Sequence, residues 1–159
     1  MASCEPVAER VTMEWRLFDD LSGRELYELL RVRQSIFVVE QRSPYPDLDG
    51  LDESAWHLVA RVEGELAGYL RLMPITGPPP SVRIGRVAVS SHLRQRGIGR
   101  TLMEEALLFC RKHYPLQPIA LAAQRLLVPF YQSFGFSTTS EPYDDFGVEH
   151  IEMALRPRG

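Results

Sequence analysis

The run Arg94-Gln95-Arg96-Gly97-Ile98-Gly99 comes directly after the strand-like Val82 to Val89 and opens a helical pattern that extends to His113. Strand, glycine-bearing turn and helix in that order point to helices packed against a sheet. Glycines one residue apart let the backbone curl tightly and gather several N–H groups, and the first helical turn adds unpaired donors and the positive end of its dipole. Such a turn suits a phosphate-bearing ligand. A Gly-x-Gly pair also occurs in ordinary strand-to-helix turns, so the glycines alone do not decide. Arg94, Arg96 and Arg100 surround them in a chain of formal net charge -3, which makes the expected local field positive against an acidic background.

The 159 residues, 45% of them hydrophobic, suit a single domain with a substantial core. Gly77-Pro78-Pro79-Pro80-Ser81 reads as a stiff loop between two strands, not as a linker. The small net charge argues against nucleic-acid binding, which needs a broad basic face. Met1 to Val11 lacks the apolar run of a signal peptide, and no segment approaches the ~20 apolar residues of a membrane span; the expectation is a cytoplasmic protein with no membrane contact. Cys4 and Cys110 make no disulfide framework, Cys110 falls on the apolar face of a helix, and no metal-ligand spacing occurs, so no metal is expected.

Periodicity predicts a first strand over Met13 to Phe18 and one long or two short helices from Leu21 to about Gln41, with Ser22 and Glu25 in a capping-box arrangement. Ser43 to Ser54, rich in Pro, Asp and Gly, reads as an acidic surface loop. Trp56 to Val62 and Leu66 to Met73 read as strands joined through Gly64, and Val82 to Val89 as the next. Leu102, Met103, Ala106, Leu107 and Cys110 form the apolar stripe of the following helix. Pro118 to Ala123 has the continuous apolar pattern of a strand buried on both faces. Leu127 to Phe134 reads as a short helix with Pro129 in its first turn and Gly135 at its C-cap, and Phe136 to Thr139 and Glu149 to Ala154 as closing strands. The expected class is α/β, a mixed sheet with a ligand site where strand order opens.

These motifs in this order resemble the Gcn-five-related N-acetyltransferase superfamily, whose signature Arg/Gln-x-x-Gly-x-Gly/Ala is met by Arg94, Gly97 and Gly99. Tyr131 before Gly135-Phe136 matches a second family motif, and Gln124 stands where the family commonly has Asn. Within the superfamily the chain looks like the ElaA-type acyltransferases, through Leu29 to Gln41, Pro44 to Gly50, Ile84 to Val89 and Phe130 to Phe136. The resemblance covers roughly Trp15 to Leu155. It implies a mostly antiparallel mixed sheet of about six or seven strands flanked by about four helices.

It also implies an enzyme that transfers the acetyl group of acetyl-coenzyme A to an amine, on a small molecule or a protein, in a ternary complex without a covalent acyl-enzyme. Carried over residue by residue, the N–H groups of Gln95, Arg96, Gly97, Ile98, Gly99, Arg100 and Thr101 would cradle the pyrophosphate, with Arg94 beside them. Val87, Ala88 and Val89 would run along the pantetheine arm, the Val89 N–H would face the thioester oxygen, and Gln124 would touch the cofactor. Tyr131 would act as general acid on the departing thiolate.

The Glu that many members carry on the fourth strand is absent from Ile84-Gly85-Arg86, so the base must come from elsewhere. His57 is one candidate, because a neutral imidazole is a competent base near pH 7, and Glu149 and His150 are others, because the resemblance implies that the last strand borders the acceptor pocket. Asp47, Asp49, Asp52 and Glu53 would either be a solvated loop or line an entrance that favours a cationic amine. Arg33, Phe37 and the acidic loop also resemble the homoserine-lactone autoinducer synthases, which implies transfer of a longer acyl chain as an alternative. The missing strand-four Glu allows another, an inactive coenzyme-A-binding or regulatory module. A homodimer is compatible with the sequence.

Overall fold

A computed structural model describes residues 10–42 and 46–158. Cys4, most of the Met1 to Val11 terminus and the Ser43-Pro44 start of the acidic loop lie outside the described residues. Eight strands form one sheet: β1 (Val11–Leu17), β2 (Trp56–Val62), β3 (Glu65–Ile75), β4 (Ser81–Val89), β5 (Ile119–Gln124), β6 (Ser137–Thr138), β7 (Tyr143–Asp145) and β8 (Val148–Leu155). Their order is β1-β2-β3-β4-β5-β8-β6, with β7 paired on β8. Among the described residues only β4 and β5 pair in parallel. The helices are α1 (Gly23–Arg33), α2 (Ile98–His113) and α3 (Val128–Gln132). The family expectation of a mixed, mostly antiparallel sheet holds, with β7 the strand that periodicity missed.

Local chemistry explains most boundaries. Ser22 and Glu25 close the capping box on α1, the Glu25 N–H donating to Ser22 Oγ at 3.1 Å and the Ser22 N–H to Glu25 Oε2 at 2.8 Å. The expected second half of this helix widens instead into π-helical turns over Gln34–Glu40. Glu63 and Gly64, at φ 48° and 82°, make the tight β2–β3 hairpin, and Phe146 and Gly147, at 51° and 86°, make the β7–β8 hairpin.

One face of the sheet packs on α2, whose Ile98, Leu102, Met103, Ala106, Leu107 and Cys110 are buried with Leu70, Leu72, Val82 and Leu121. Burial pushes the Cys110 thiol up to about 12, as befits an inert core residue. The other face is covered over β2 and β3 by α1 and the loop that follows it, with Leu29, Val59, Leu66 and Tyr69 in a smaller core. β5 departs from the expectation of burial on both faces. Ile119, Leu121 and Ala123 are buried while Ala120, Ala122 and Gln124 are half-buried. Among the described residues no helix covers this second face of β5, and a cleft begins there.

The α2 contact is close at Gly68 on β3, where an added Cβ would lie 2.9 Å from Leu102 Cδ1 and 3.0 Å from Ile98 Cγ2. Gly68 pairs with Val89, so its lack of a side chain also sets how the glycine turn sits beside the sheet. Gly68→Val should therefore lower stability by about 1–3 kcal/mol through overpacking. An unchanged urea midpoint would show that α2 shifts freely to accommodate it.

Candidate active site

The cleft opens where β4 and β5 part. Their parallel pairing is limited to Val82↔Ile119 and Arg83↔Ala120, and beyond it the β5-facing edge of β4 has no partner strand among the described residues. A bulge accompanies the divergence. Arg71↔Gly85 is followed by Tyr69↔Ala88, and Arg86 sits within the bulge at φ 53°, a strained left-handed conformation for a residue other than glycine. Cross-strand register puts one set of residues on the cleft floor: Arg71 and Met73 of β3, Arg83 and Gly85 of β4, Ala122 and Gln124 of β5 and His150 of β8. The cleft encloses about 520 Å³. Phe37 and Leu51 wall one side, and Tyr131, Tyr143 and Asp145 the other.

The open edge of β4 offers backbone groups. The Ser90 N–H donates to the Ala67 carbonyl on the β3 side. By alternation, Val89 points its N–H and C=O to the opposite, open side, and Arg94 Nε does donate to the Val89 carbonyl there, at 3.2 Å. Val87 lines the cleft, whereas Ala88 is buried.

The glycine turn at the end of β4 has the anticipated shape. Gln95 and Gly97 adopt φ 65° and 77°, and Gly97 caps α2 with no side chain serving the first-turn amides of Ile98, Gly99 and Arg100. Its side chains behave otherwise than the sequence suggested. Arg94 forms a two-pronged ion pair with Glu40 of the π-helical segment, which neutralises part of the expected positive field. Arg100 donates to Ser133 Oγ at 2.9 Å and lies over the Phe134 ring at 4.7 Å. Thr101 turns both its amide and its hydroxyl to the Gly97 carbonyl, so it is no donor to an anion. The anion-binding capacity of this turn is chiefly that of its backbone.

The acidic loop is not the solvated surface its composition suggests. Asp47 and Asp52 are buried, and together with Asp49 they neutralise three guanidiniums. Arg33, at the end of α1 and fully buried, donates to Asp47 at 3.0 Å and Asp52 at 2.7 Å. Arg71 reaches Asp49 at 2.7 and 2.8 Å and Asp52 at 3.0 Å. Arg86 reaches Asp47 at 2.8 Å and Asp49 at 3.2 Å. Although burial pushes in the other direction, Arg71 and Arg86 hold the Asp49 carboxyl down to about 2. Each carboxylate is shared, which is what makes burying so much charge tolerable.

His57 belongs to this buried network and not to the cleft. It is fully buried; Nε2 donates to the Asp52 carbonyl at 2.8 Å and Nδ1 accepts from the Tyr69 hydroxyl at 2.6 Å, the tautomer assigned from these partners. Burial lowers its pKa, helped by Arg33 and Arg71. With both nitrogens engaged and no solvent contact, it has no lone pair to offer a substrate. Glu149 also lies off the cleft, bonded at 2.8 Å to Arg125 on the exposed face. Its neighbour His150 faces inward, since alternate residues of a strand take opposite faces. The His150 Nδ1–H donates to the Val148 carbonyl at 2.9 Å, leaving the lone pair on Nε2, and the ring stacks on Tyr143 at 6.2 Å between centroids.

Tyr131 is 6% exposed and borders the cleft, edge-on to Phe130 and Phe136. Burial pushes its hydroxyl up to about 12. Phe37, singled out in the sequence with Arg33, lines the cleft, as do Tyr143 and Asp145, which the sequence did not single out; the Phe146-Gly147 turn was the available signal for these two.

A splayed β4–β5 pair beside a glycine turn and a buried Tyr agrees with the comparisons to known proteins. The model of the GNAT acetyltransferase domain matches residues 32–157. This chain is a member of the GNAT family. It is 41% identical to protein ElaA of Escherichia coli over 146 residues, 89% of this chain and 95% of that protein. The E. coli ElaA crystal structure superposes with a TM-score of 0.86 over 91% of this chain and 99% of that one, at 39% identity. An acyl-CoA N-acyltransferase from Pseudomonas aeruginosa gives 0.85 at the same coverage and identity. Among the described residues of this GNAT member, no helix is long and apolar enough to cross a membrane.

The buried network makes stability depend on pH in two stages. His57, ordinarily near 6.5, has a lowered folded pKa, so the unfolded chain binds its proton more readily; stability present above about pH 6.5 is lost as pH falls toward the folded value. Asp49 and Asp52, with depressed pKa values, add a further loss only below about pH 4. His57→Gln should flatten the first stage, read as the urea midpoint between pH 7 and pH 5. Equal slopes in the two proteins would contradict the buried neutral state.

Proposed function

We propose that this chain transfers an acetyl group from acetyl-coenzyme A to a primary amine, by direct attack with both substrates bound. The observation that carries the reading is the open edge of β4, unpaired beyond Arg83 and ending at the uncapped amides of Ile98, Gly99 and Arg100. The donor's thioester supplies the activated acyl carbon. The first-turn amides, with those of Gln95 and Gly97, hold its pyrophosphate; the open edge at Val87 and Val89 receives the pantetheine arm as an added strand. The Val89 N–H stabilises the charge that develops on the carbonyl oxygen. Gln124 closes the wall beside it.

His150 Nε2 accepts the first proton of the acceptor ammonium and passes it to solvent. The amine then forms the C–N bond, the C–S bond breaks, and Tyr131 protonates the departing thiolate; the second amine proton restores the phenol. Burial keeps the Tyr131 hydroxyl protonated at neutral pH, so the proton is in place for the leaving sulfur.

Calorimetry should find stoichiometric acetyl-coenzyme A binding, weakened at least tenfold by Gly97→Glu; no binding at millimolar concentration sinks the reading. Tyr131→Phe should lower turnover at least tenfold with acetyl-coenzyme A affinity within twofold, and an unchanged rate removes Tyr131 from the chemistry. His150→Gln should lower kcat/KM at pH 7 at least tenfold with acetyl-coenzyme A affinity within twofold, and an unchanged rate would assign the proton acceptor elsewhere.

A further inference from the structure

We infer that the acceptor is a small amine carried on an uncharged apolar body, an arylalkyl or alkyl amine, and not a polycation or a lysine within a peptide. The inference rests on the acetyl-transfer reading and names its second substrate. The acceptor half of the cleft is the uncovered sheet face between the π-helical segment and the β7–β8 hairpin. Phe37, Leu51, Met73 and Ile75 line it, and Leu51 and Ile75 remain 45% and 41% exposed. Apolar side chains held at the rim of a concave site imply an apolar ligand surface to cover them.

Charge in the same cleft is arranged to match. Asp49, Arg71, Arg83 and Arg86 line it and are all in ion pairs, Arg83 with Glu152 at 3.0 Å. Asp145 is the one charged lining residue without an ion-pair partner among the described residues, and it stands on the His150 side. A single ammonium thus meets one free carboxylate beside the proton-accepting nitrogen, while its body reaches toward Phe37. A second or third positive charge on the acceptor would find no further unpaired carboxylate among the described lining residues to offset its lost hydration.

The test compares 2-phenylethylamine, spermidine and a lysine-containing peptide by thiol release, and measures their binding to the coenzyme-A-loaded protein by calorimetry. Expected is a kcat/KM for 2-phenylethylamine at least tenfold above the other two. Phe37→Ala should raise its KM about tenfold with kcat little changed, and Asp145→Asn should raise KM without altering acetyl-coenzyme A affinity. Preference for spermidine or the peptide, or a KM indifferent to Phe37→Ala, overturns the inference. Saturable, Phe37-dependent binding of 2-phenylethylamine without any thiol release upholds the acceptor class and rejects the transfer reading. Neither binding nor turnover rejects the acceptor class.

Discussion

Three guanidiniums and three carboxylates, interleaved so that every acid serves two bases, hold the functional half of this fold in place. Arg33 closes α1, Arg71 comes from the middle of β3, Arg86 from the bulge of β4, and Asp47, Asp49 and Asp52 from one loop. Removing one member of a buried ion pair typically costs about 3–5 kcal/mol because its partner is left charged and dry. The arrangement therefore ties the loop, the π-helical turns and the bulge into one unit. The strain of a left-handed Arg86 is offset by its bonds to the Asp47 side chain and main chain.

That unit shapes the cleft in two ways. It carries the wall bearing Phe37 and Leu51, and it bulges β4 where the strand leaves β5. It also removes the loop's acids from the field a ligand would feel, since they are matched charge for charge within the protein. The remaining polar equipment is sparse and directional: Tyr131 and His150 border the opening, one a buried phenol, the other an imidazole with its free nitrogen fixed by a main-chain bond. A cleft so built favours orientation of a weakly charged ligand over attraction of a strongly charged one.

Local signals in the chain were reliable where local forces decide. The capping box at Ser22 and Glu25, the α2 stripe ending at Cys110 and the glycine turn at Gly97 are all present as read, because capping, amphipathicity and left-handed φ act over a few residues. Polar side chains with distant partners were misjudged. His57, placed at a strand start, turned out fully buried because Asp52 and Tyr69, near and far in sequence, both bond to its ring. The side chains of Arg94 and Arg100, expected to make the turn positive, are engaged by Glu40, 54 residues away, and by Ser133, 33 residues away. Of the two last-strand candidates, His150 lines the cleft and Glu149 does not, a choice made by the two-residue period of β8.

The sequence by itself determined the family, the order of elements and the glycine turn, since these rest on short motifs whose geometry is set by backbone conformation. Tertiary structure decided the state of the acidic loop and which candidate side chains, His150 but neither His57 nor Glu149, reach the cleft. Each depends on which side of a strand faces the cleft and on which charges find each other across 14 to 39 residues of chain. Such pairings are set by the register and packing of the whole sheet, and no local stretch of the chain contains them.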